Sequence, residues 1–455
     1  MASLVNQGIR RSVQKALGNS ARAFASGPST SVSKLSNGVR VASEESGCAT
    51  ATVSVWIDSG SRYEMKTTNG VNYLAGKAAL MEPGVQPEIA KLGGQVAAYT
   101  SREQTVYYAT VMKEKAPAAM ALLANLVKSA PAAAVVDCAK TGVLAELASA
   151  DVPGGAALME DLHEAAYLDT ALGLPIKGSA DTVGGLSAGD VAALKEGAYT
   201  APRLVVAGAG GVGQEQLAAL AEEAFGGLAA APAGGVEAAM EAGIFCGSDK
   251  RIRYDSMKTA KVALAFETGG WTSEQSVPLM LMQTLLGAWD AGGVMGPNMA
   301  SKFGQDVAEE GCAASYGAFL AQYKDTGLFG IQAAAGDSNL DDLAYAMTHH
   351  LVRLCHQVTD AEVARAKRAL KANLRAQANS GPAICEDIGR QMLAYGRRVP
   401  AAEMEARIDA LTTDDVKTVA KAVINDKDHA LAAVGGIHEL PDYNWIRRRS
   451  YWLRY

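Results

Sequence analysis

Apolar positions along the chain repeat in two places. A near-continuous apolar run closed by an acid, a small hydroxyl residue and glycine spans Thr50-Ala51-Thr52-Val53-Ser54-Val55-Trp56-Ile57-Asp58-Ser59-Gly60. It returns as Thr259-Ala260-Lys261-Val262-Ala263-Leu264-Ala265-Phe266-Glu267-Thr268-Gly269. Both read as a strand that ends in a turn. A second match follows each of them. Leu186-Ser187-Ala188-Gly189-Asp190-Val191 and Leu411-Thr412-Thr413-Asp414-Asp415-Val416 place a hydroxyl residue three positions ahead of Asp, as at a capped helix start. Each of these helices leads to a buried strand closed by Gly-Gly, at Gly210-Gly211 and at Gly435-Gly436. Two matches in the same order, at comparable spacing, point to duplication of one unit.

Helical periodicity covers 118–149 and 183–199 in the first half, and 339–357, 360–379, 382–396 and 411–424 in the second. Strands at the front of each half, helices after them and a last strand at the end predict an α+β fold. It comprises two homologous domains, each with helices packed on a mostly antiparallel sheet. The stretch Ala229-Ala230-Ala231-Pro232-Ala233-Gly234-Gly235 reads as the linker. No run of eighteen apolar residues occurs, so contact with a membrane is expected only through partners.

A chain of 455 residues exceeds what one core supports, in keeping with two domains. Its 49% hydrophobic and 20% charged residues give an ordinary globular balance. Cysteines stand at 48, 138, 246, 312, 355 and 385 with no C-x-x-C pair, which predicts reduced, mostly buried thiols and no structural zinc. The first 43 residues hold no Asp or Glu but carry Arg10, Arg11, Lys15, Arg22, Lys34 and Arg40. Leu4, Val5, Ile9, Val13 and Leu17 recur there at helical spacing, the pattern of a mitochondrial transit peptide. Cleavage is expected between Phe24 and Ala25. Loss of Arg10, Arg11, Lys15 and Arg22 takes the net charge from −6 to about −10, a poor match for nucleic acid.

Other local patterns have plainer readings. His163-Glu164 opens an H-E-x-x-H pattern, but position 167 is Tyr. His349, His350 and His356 share one amphipathic helix. Gly208-Ala209-Gly210-Gly211-Val212-Gly213 follows a strand and precedes the helical Gln214–Glu223, as a G-x-G-x-x-G fingerprint would, yet the stretch where the acid should follow, Val236 to Glu241, reads as linker. Its match to Gly435-Gly436 marks it as a structural turn.

Five segments, in order, carry a resemblance. They are Ala98–Tyr108, Pro202–Val212, Asp325–Gly330, Ile384–Met392, and the tail from Leu440-Pro441-Asp442-Tyr443 to Trp452-Leu453-Arg454-Tyr455. From about residue 33 to the C-terminus the chain resembles the processing-peptidase family of inverzincin metallopeptidases. Within it, the chain is most similar to the branch of peptidase beta subunits and larger core subunits of the cytochrome bc complex. Active members hold zinc through His-x-x-Glu-His on a helix and a distant Glu.

The resemblance divides the chain into a transit peptide (1–24), an N-terminal peptidase-like domain (25–230), a linker (231–244) and a C-terminal domain (245–455). It places Asn72 and Gly76 at the two His positions, Ala75 at the catalytic Glu, and Glu146 at the distant ligand. No His occurs before His163, so no register supplies an imidazole. Glu146 is then a vestigial ligand position, and no catalytic residue, metal or cofactor is expected. The segment from Leu80 to Gly93 is also shorter than the family pattern. The implied role is a non-catalytic scaffold in respiratory complex III, peripheral on the matrix side of the mitochondrial inner membrane. Its implied partners are an alpha-type core subunit, cytochrome b, cytochrome c1 and the Rieske subunit. The alternative is a processing-peptidase beta subunit with residual presequence binding or cleavage. In the tail, Trp445, Arg447, Arg448, Tyr451 and Trp452 have the composition of interface anchors. The glycine-rich loop Trp289–Gly296 is expected to pack or to meet a partner.

Overall fold

The computed structural model describes residues 30–150, 155–231, 240–293 and 299–451. The first half runs β1 (Ser31–Lys34), β2 (Arg40–Glu45), β3 (Thr50–Ile57), α1 (Val71–Met81), α2 (Val85–Leu92), β4 (Gln95–Thr100) and β5 (Thr105–Met112). It continues with α3 (Ala116–Lys128), α4 (Ala133–Ala150), α5 (Gly155–Ala166), α6 (Ala180–Gly185), α7 (Ala188–Ala198), β6 (Leu204–Gly210) and α8 (Gln214–Phe225). The second half opens with β7 (Asp249–Arg253), β8 (Thr259–Gly269), α9 (Ser276–Leu286), β9 (Ala288–Asp290), α10 (Lys302–Glu310), β10 (Ser315–Gln322) and β11 (Thr326–Gly336). It closes with α11 (Leu340–His356), α12 (Asp360–Gln377), α13 (Gly381–Ala394), α14 (Ala401–Ala410), α15 (Thr413–Val423), β12 (Ala430–Gly435) and α16 (Tyr443–Arg448).

Among the described residues these strands make two six-stranded sheets, ordered β1-β2-β6-β3-β5-β4 and β7-β12-β8-β11-β10-β9. Dropping β1 from one and β9 from the other leaves the same five-strand plan. In each, one parallel pair (β2 with β6, β7 with β12) joins an otherwise antiparallel sheet. The duplication extends to single atoms. Gly210 and Gly435 both adopt left-handed backbone, φ 97° and 121°. A Cβ on Gly210 would lie 2.4 Å from the carbonyl oxygen of Thr50, and one on Gly435 would lie 2.4 Å from that of Thr259. Only glycine fits such a turn. Ser187 with Asp190, and Thr412 with Asp415, form reciprocal capping boxes at the starts of α7 and α15.

Three expectations change. The helix expected over 183–199 is α6 and α7, divided at Leu186-Ser187, where the Ser187 side chain caps α7. The helix expected over 118–149 is two helices, α3 and α4, whose axes turn by 90°. Pro131 lies in the gap, where its ring and missing N–H disfavour a continuous helix. Of the six thiols only Cys312, Cys355 and Cys385 are buried. Among the described residues no single helix is long and apolar enough to cross a membrane.

The halves interlock through exchanged helices. Leu158, Leu162 and Ala166 of α5 pack on Ala263, Ala265, Ala430 and Ala432 of the second sheet. Ile384, Ile388 and Met392 of α13 pack on Trp56, Val106, Val205 and Ala207 of the first. Each sheet therefore carries its own helices on one face and a helix of the other half on the opposite face. Strands apolar on both sides, such as β6 with no exposed position, are a consequence.

Two buried histidines in the second half should make stability pH-dependent. Burial pulls His429 down to about 4, with Asp249 and Asp428 opposing and Arg447 and Arg251 reinforcing. Burial does the same to His350, also to about 4, despite Asp306 Oδ2 at 3.0 Å. The unfolded chain binds these protons near pH 6.5 and the folded chain does not. The stability they permit is thus complete above pH 6.5 and falls as pH drops toward 4, by roughly 3 kcal/mol per residue. Urea midpoints measured across this window should show a shallower pH slope in His429→Phe, which keeps a ring against Tyr443, at 4.2 Å in the native stack. An unchanged slope would contradict the assignment.

Candidate functional site

Helix α1 starts on a buried anion. Gly70, in left-handed backbone (φ 95°), precedes its first turn. The Glu64 carboxylate accepts from the backbone N–H of Gly70 (2.7 Å) and of Asn72 (2.7 Å). It also accepts from the side-chain amides of Asn69 and Asn72, both at 2.9 Å. Burial pushes Glu64 upward in pKa while these four donors pull it down. A carboxylate on the positive end of a helix is well placed to hold it.

Asn72 belongs to this cap. Its amide also donates to the carbonyl of Gly60 (3.1 Å), and its oxygen accepts from Ser59 Oγ (2.8 Å). It is fully buried and faces the turn after β3, not Glu146. Ala75 is buried as well. A Cβ on Gly76 would meet Thr100 Oγ1 of β4 at 3.7 Å, so this position faces the sheet. The structure therefore does not bring Asn72, Ala75 or Gly76 together with Glu146.

It brings Tyr73 and Lys77 there instead. Glu146, on α4, accepts from Tyr73 Oη at 2.7 Å, Lys77 Nζ at 2.5 Å and Lys177 Nζ at 3.1 Å. Tyr73 and Lys77 are four residues apart, so they lie on one ridge of α1. Burial works to raise the Glu146 pKa, but the bonds from Lys77, Tyr73 and Lys177 outweigh it and hold the carboxyl at about 2. Burial and Glu146 together push the Tyr73 phenol upward. Lys177 Nζ also lies 5.4 Å from the Tyr73 ring centroid.

A zinc ion does not fit this donor set. It needs lone pairs from neutral imidazole or from anions. The position offers one carboxylate, one neutral phenol and two ammonium groups that repel a cation. Among the described residues no three His, Cys, Asp or Glu side chains converge to hold a metal.

The other candidates have structural roles. His163 is buried; its Nδ1 is paired with the Met159 carbonyl (2.6 Å) and its Nε2 with Tyr323 Oη (2.6 Å), tying α5 to the end of β10. His349 stacks on Tyr345 while His350 points inward to Asp306. The Gly208–Gly213 run is the end of β6 and the turn into α8. Trp289 and Asp290 lie in β9, and residues 294–298 of the glycine-rich loop fall outside the described residues.

In the tail, Arg447 is held within the chain by Asp428 (2.7 Å) and Asp426 (3.0 Å). Trp445 packs partly on the second core. Arg448 is exposed and, with Trp445 and Tyr451, lines a surface hollow of roughly 700 Å³. The Arg449 guanidinium lies between the rings of Trp445 (4.2 Å) and Tyr345 (4.3 Å). Phe24, Ala25 and Trp452 lie outside the described residues.

Sequence reasoning missed Tyr73, Lys77 and Lys177 at the site, and Arg449 in the tail. Positions 72/76 and 73/77 share the same spacing, so spacing could not choose between them. The signal was charge: an isolated Glu146 needs a cation, and Lys77 is the first on that helix.

The fold has counterparts. Residues 40–180 match the family described as insulinase (peptidase family M16), and residues 185–370 match the peptidase M16 inactive domain. The probable mitochondrial-processing peptidase subunit beta of Arabidopsis thaliana is 40% identical over 439 residues, covering 94% of this chain and 83% of that protein. Cytochrome b-c1 complex subunit 1 of Bos taurus is 34% identical over 454 residues, covering 98% and 95%. A chain in complex III2 from Candida albicans with Inz-5 bound superposes with a TM-score of 0.84 at 24% identity, covering 93% of this chain and all of that one, a likeness of fold. Two interlocked halves on one strand plan agree with these matches: the chain belongs to peptidase family M16.

Proposed function

We propose that the chain is a non-catalytic core subunit of respiratory complex III, peripheral on the matrix side of the mitochondrial inner membrane. The observation that carries this reading is the occupation of Glu146 by Lys77, Lys177 and Tyr73. In this reading Tyr73 and Lys77 stand at the positions of the zinc-binding imidazoles and Gly76 at that of the catalytic Glu, one residue on from Asn72, Ala75 and Gly76. No group on that face of α1 can activate water. The bovine relative, cytochrome b-c1 complex subunit 1, supports membership of the complex, since the match spans almost the whole of both chains. The mitochondrial relatives support a mitochondrial location. Residues 1–24 then form the transit peptide, cleaved between Phe24 and Ala25, and 231–244 join the domains 25–230 and 245–455. Partners are an alpha-type core subunit, cytochrome b, cytochrome c1 and the Rieske subunit, with Arg448, Tyr451 and Trp452 at the contact. The chain supplies no redox cofactor of its own.

A second reading, a processing-peptidase beta subunit with residual presequence binding or cleavage, is favoured by the higher identity to the Arabidopsis protein. One preparation separates the two. Isolated from mitochondrial membranes under native conditions, the chain should migrate with cytochrome b and carry no stoichiometric zinc. Stoichiometric zinc in this chain, or presequence cleavage abolished by Glu146→Gln, would establish the second reading instead.

A further inference from the structure

We propose that Lys77 is a built-in cation that takes the place of the metal: it ties α1 to α4 through Glu146 and bars a divalent ion from the site. The inference rests on the non-catalytic reading above and says what replaced the chemistry. In a metal centre of this geometry, two side chains four residues apart on α1 and one on α4 would meet at a positive charge. Here Tyr73 and Lys77 have that spacing, Glu146 supplies the third side chain, and the positive charge is the ammonium of Lys77, 2.5 Å from Glu146. Lys177 adds a second cation from the chain beyond α5, 3.1 Å from the same carboxylate.

The packing is shaped for the lysine. It crosses above Gly142 of α4, where an added Cβ would stand 3.0 Å from Nζ. Its side chain is 25% exposed and that of Glu146 is 37% exposed, so the pair is partly shielded from water. Behind it, Val71, Leu74, Ala75 and Ala78 of α1 pack with Val136, Ala139 and Val143 of α4. The link therefore holds the rim of a helix pair whose base is already apolar. A zinc ion has shed its waters for protein ligands and must sit about 2 Å from each of them. The same volume cannot hold both that ion and an ammonium bonded to the carboxylate.

Paired substitutions in the full chain test this. Tyr73→His with Lys77→His should create a two-His, one-Glu site that binds one zinc per chain, at least about 100-fold tighter than the wild type. Tyr73→His alone, with Lys77 retained, should bind no better than wild type. Asn72→His with Gly76→His should gain nothing, since those positions face away from Glu146. In thermal melts Lys77→Met should lower the midpoint, Lys77→Arg should recover most of it, and Lys77→Met with Glu146→Gln should lose no more than Lys77→Met alone. Zinc capture by Asn72→His with Gly76→His, zinc capture by Tyr73→His with Lys77 in place, or strictly additive losses would each overturn the proposal. Circular dichroism of every variant separates a lost link from a lost fold, and the melting cycle decides the matter if a His variant does not fold. A zinc-loaded wild-type chain would refute the non-catalytic reading itself. A zinc-free wild type with additive losses would refute only the role given to Lys77.

Discussion

Gly389→Ala should loosen the joint between the two halves. A Cβ at Gly389 would stand 2.0 Å from Cε2 and 2.1 Å from Nε1 of Trp56. The indole cannot step aside easily. It is 1% exposed, its N–H donates to Ser54 Oγ at 2.7 Å, and its edge meets Tyr99. Either α13 lifts from the first sheet or Trp56 leaves its place. Overpacking a core costs about 1–3 kcal/mol in general, and a rigid ring against a helix backbone belongs at the upper end. Calorimetry should show that loss, and limited proteolysis should cut first next to α13. Trp56→Leu in the Gly389→Ala background should restore part of the stability, although Trp56→Leu alone destabilises. If Gly389→Ala stays within about 0.5 kcal/mol of wild type, as surface changes do, the close packing described here is wrong.

Arg62→Met should produce the second large effect. The Arg62 side chain is fully buried between the halves. It binds Glu103 at 2.8 Å, Asp325 at 2.6 Å, and the carbonyl of Glu241 through Nε and Nη2 at 3.1 and 2.8 Å. One guanidinium thus joins the turn after β3, the turn before β5, the segment leading to β7, and the hairpin between β10 and β11. Removing it leaves the Glu103 carboxylate buried with the backbone N–H of Lys324 as its remaining close donor. Breaking one side of a buried ion pair costs about 3–5 kcal/mol, and chemical denaturation should show a loss of that order.

The pH dependence of that loss is a sharper check. Burial already raises the Glu103 pKa, with Lys324 and Arg62 opposing. Without Arg62 it rises further. The penalty in the variant is complete above the folded pKa of Glu103 and shrinks as pH falls through it, because a protonated carboxyl no longer needs the cation. Arg62→Met should therefore come closer to wild type as the solution is acidified, and Glu103→Gln should rescue it at neutral pH. A pH-independent deficit would mean that lost packing, not the uncompensated charge, is the cause.

Much of the fold was legible in the sequence because its signals are local. The two strand runs, the hydroxyl-to-Asp caps at Ser187 and Thr412, and the glycines that close β6 and β12 each depend only on neighbouring residues. Together they determined the duplication, the α+β class and the order of elements. The lack of any His before His163 likewise showed, without coordinates, that α1 has no imidazole to offer a metal. Tertiary structure decided the rest. An amphipathic helix states that one face is buried but not which sheet buries it, so nothing in the periodicity of α5 or α13 announced that each would cover the other half. Positions 72/76 and 73/77 have identical spacing along α1, and only the place of Glu146 on a neighbouring helix selects Tyr73 and Lys77. Contacts between residues distant in sequence are set by how whole surfaces fit, and that information exists only once the chain has folded.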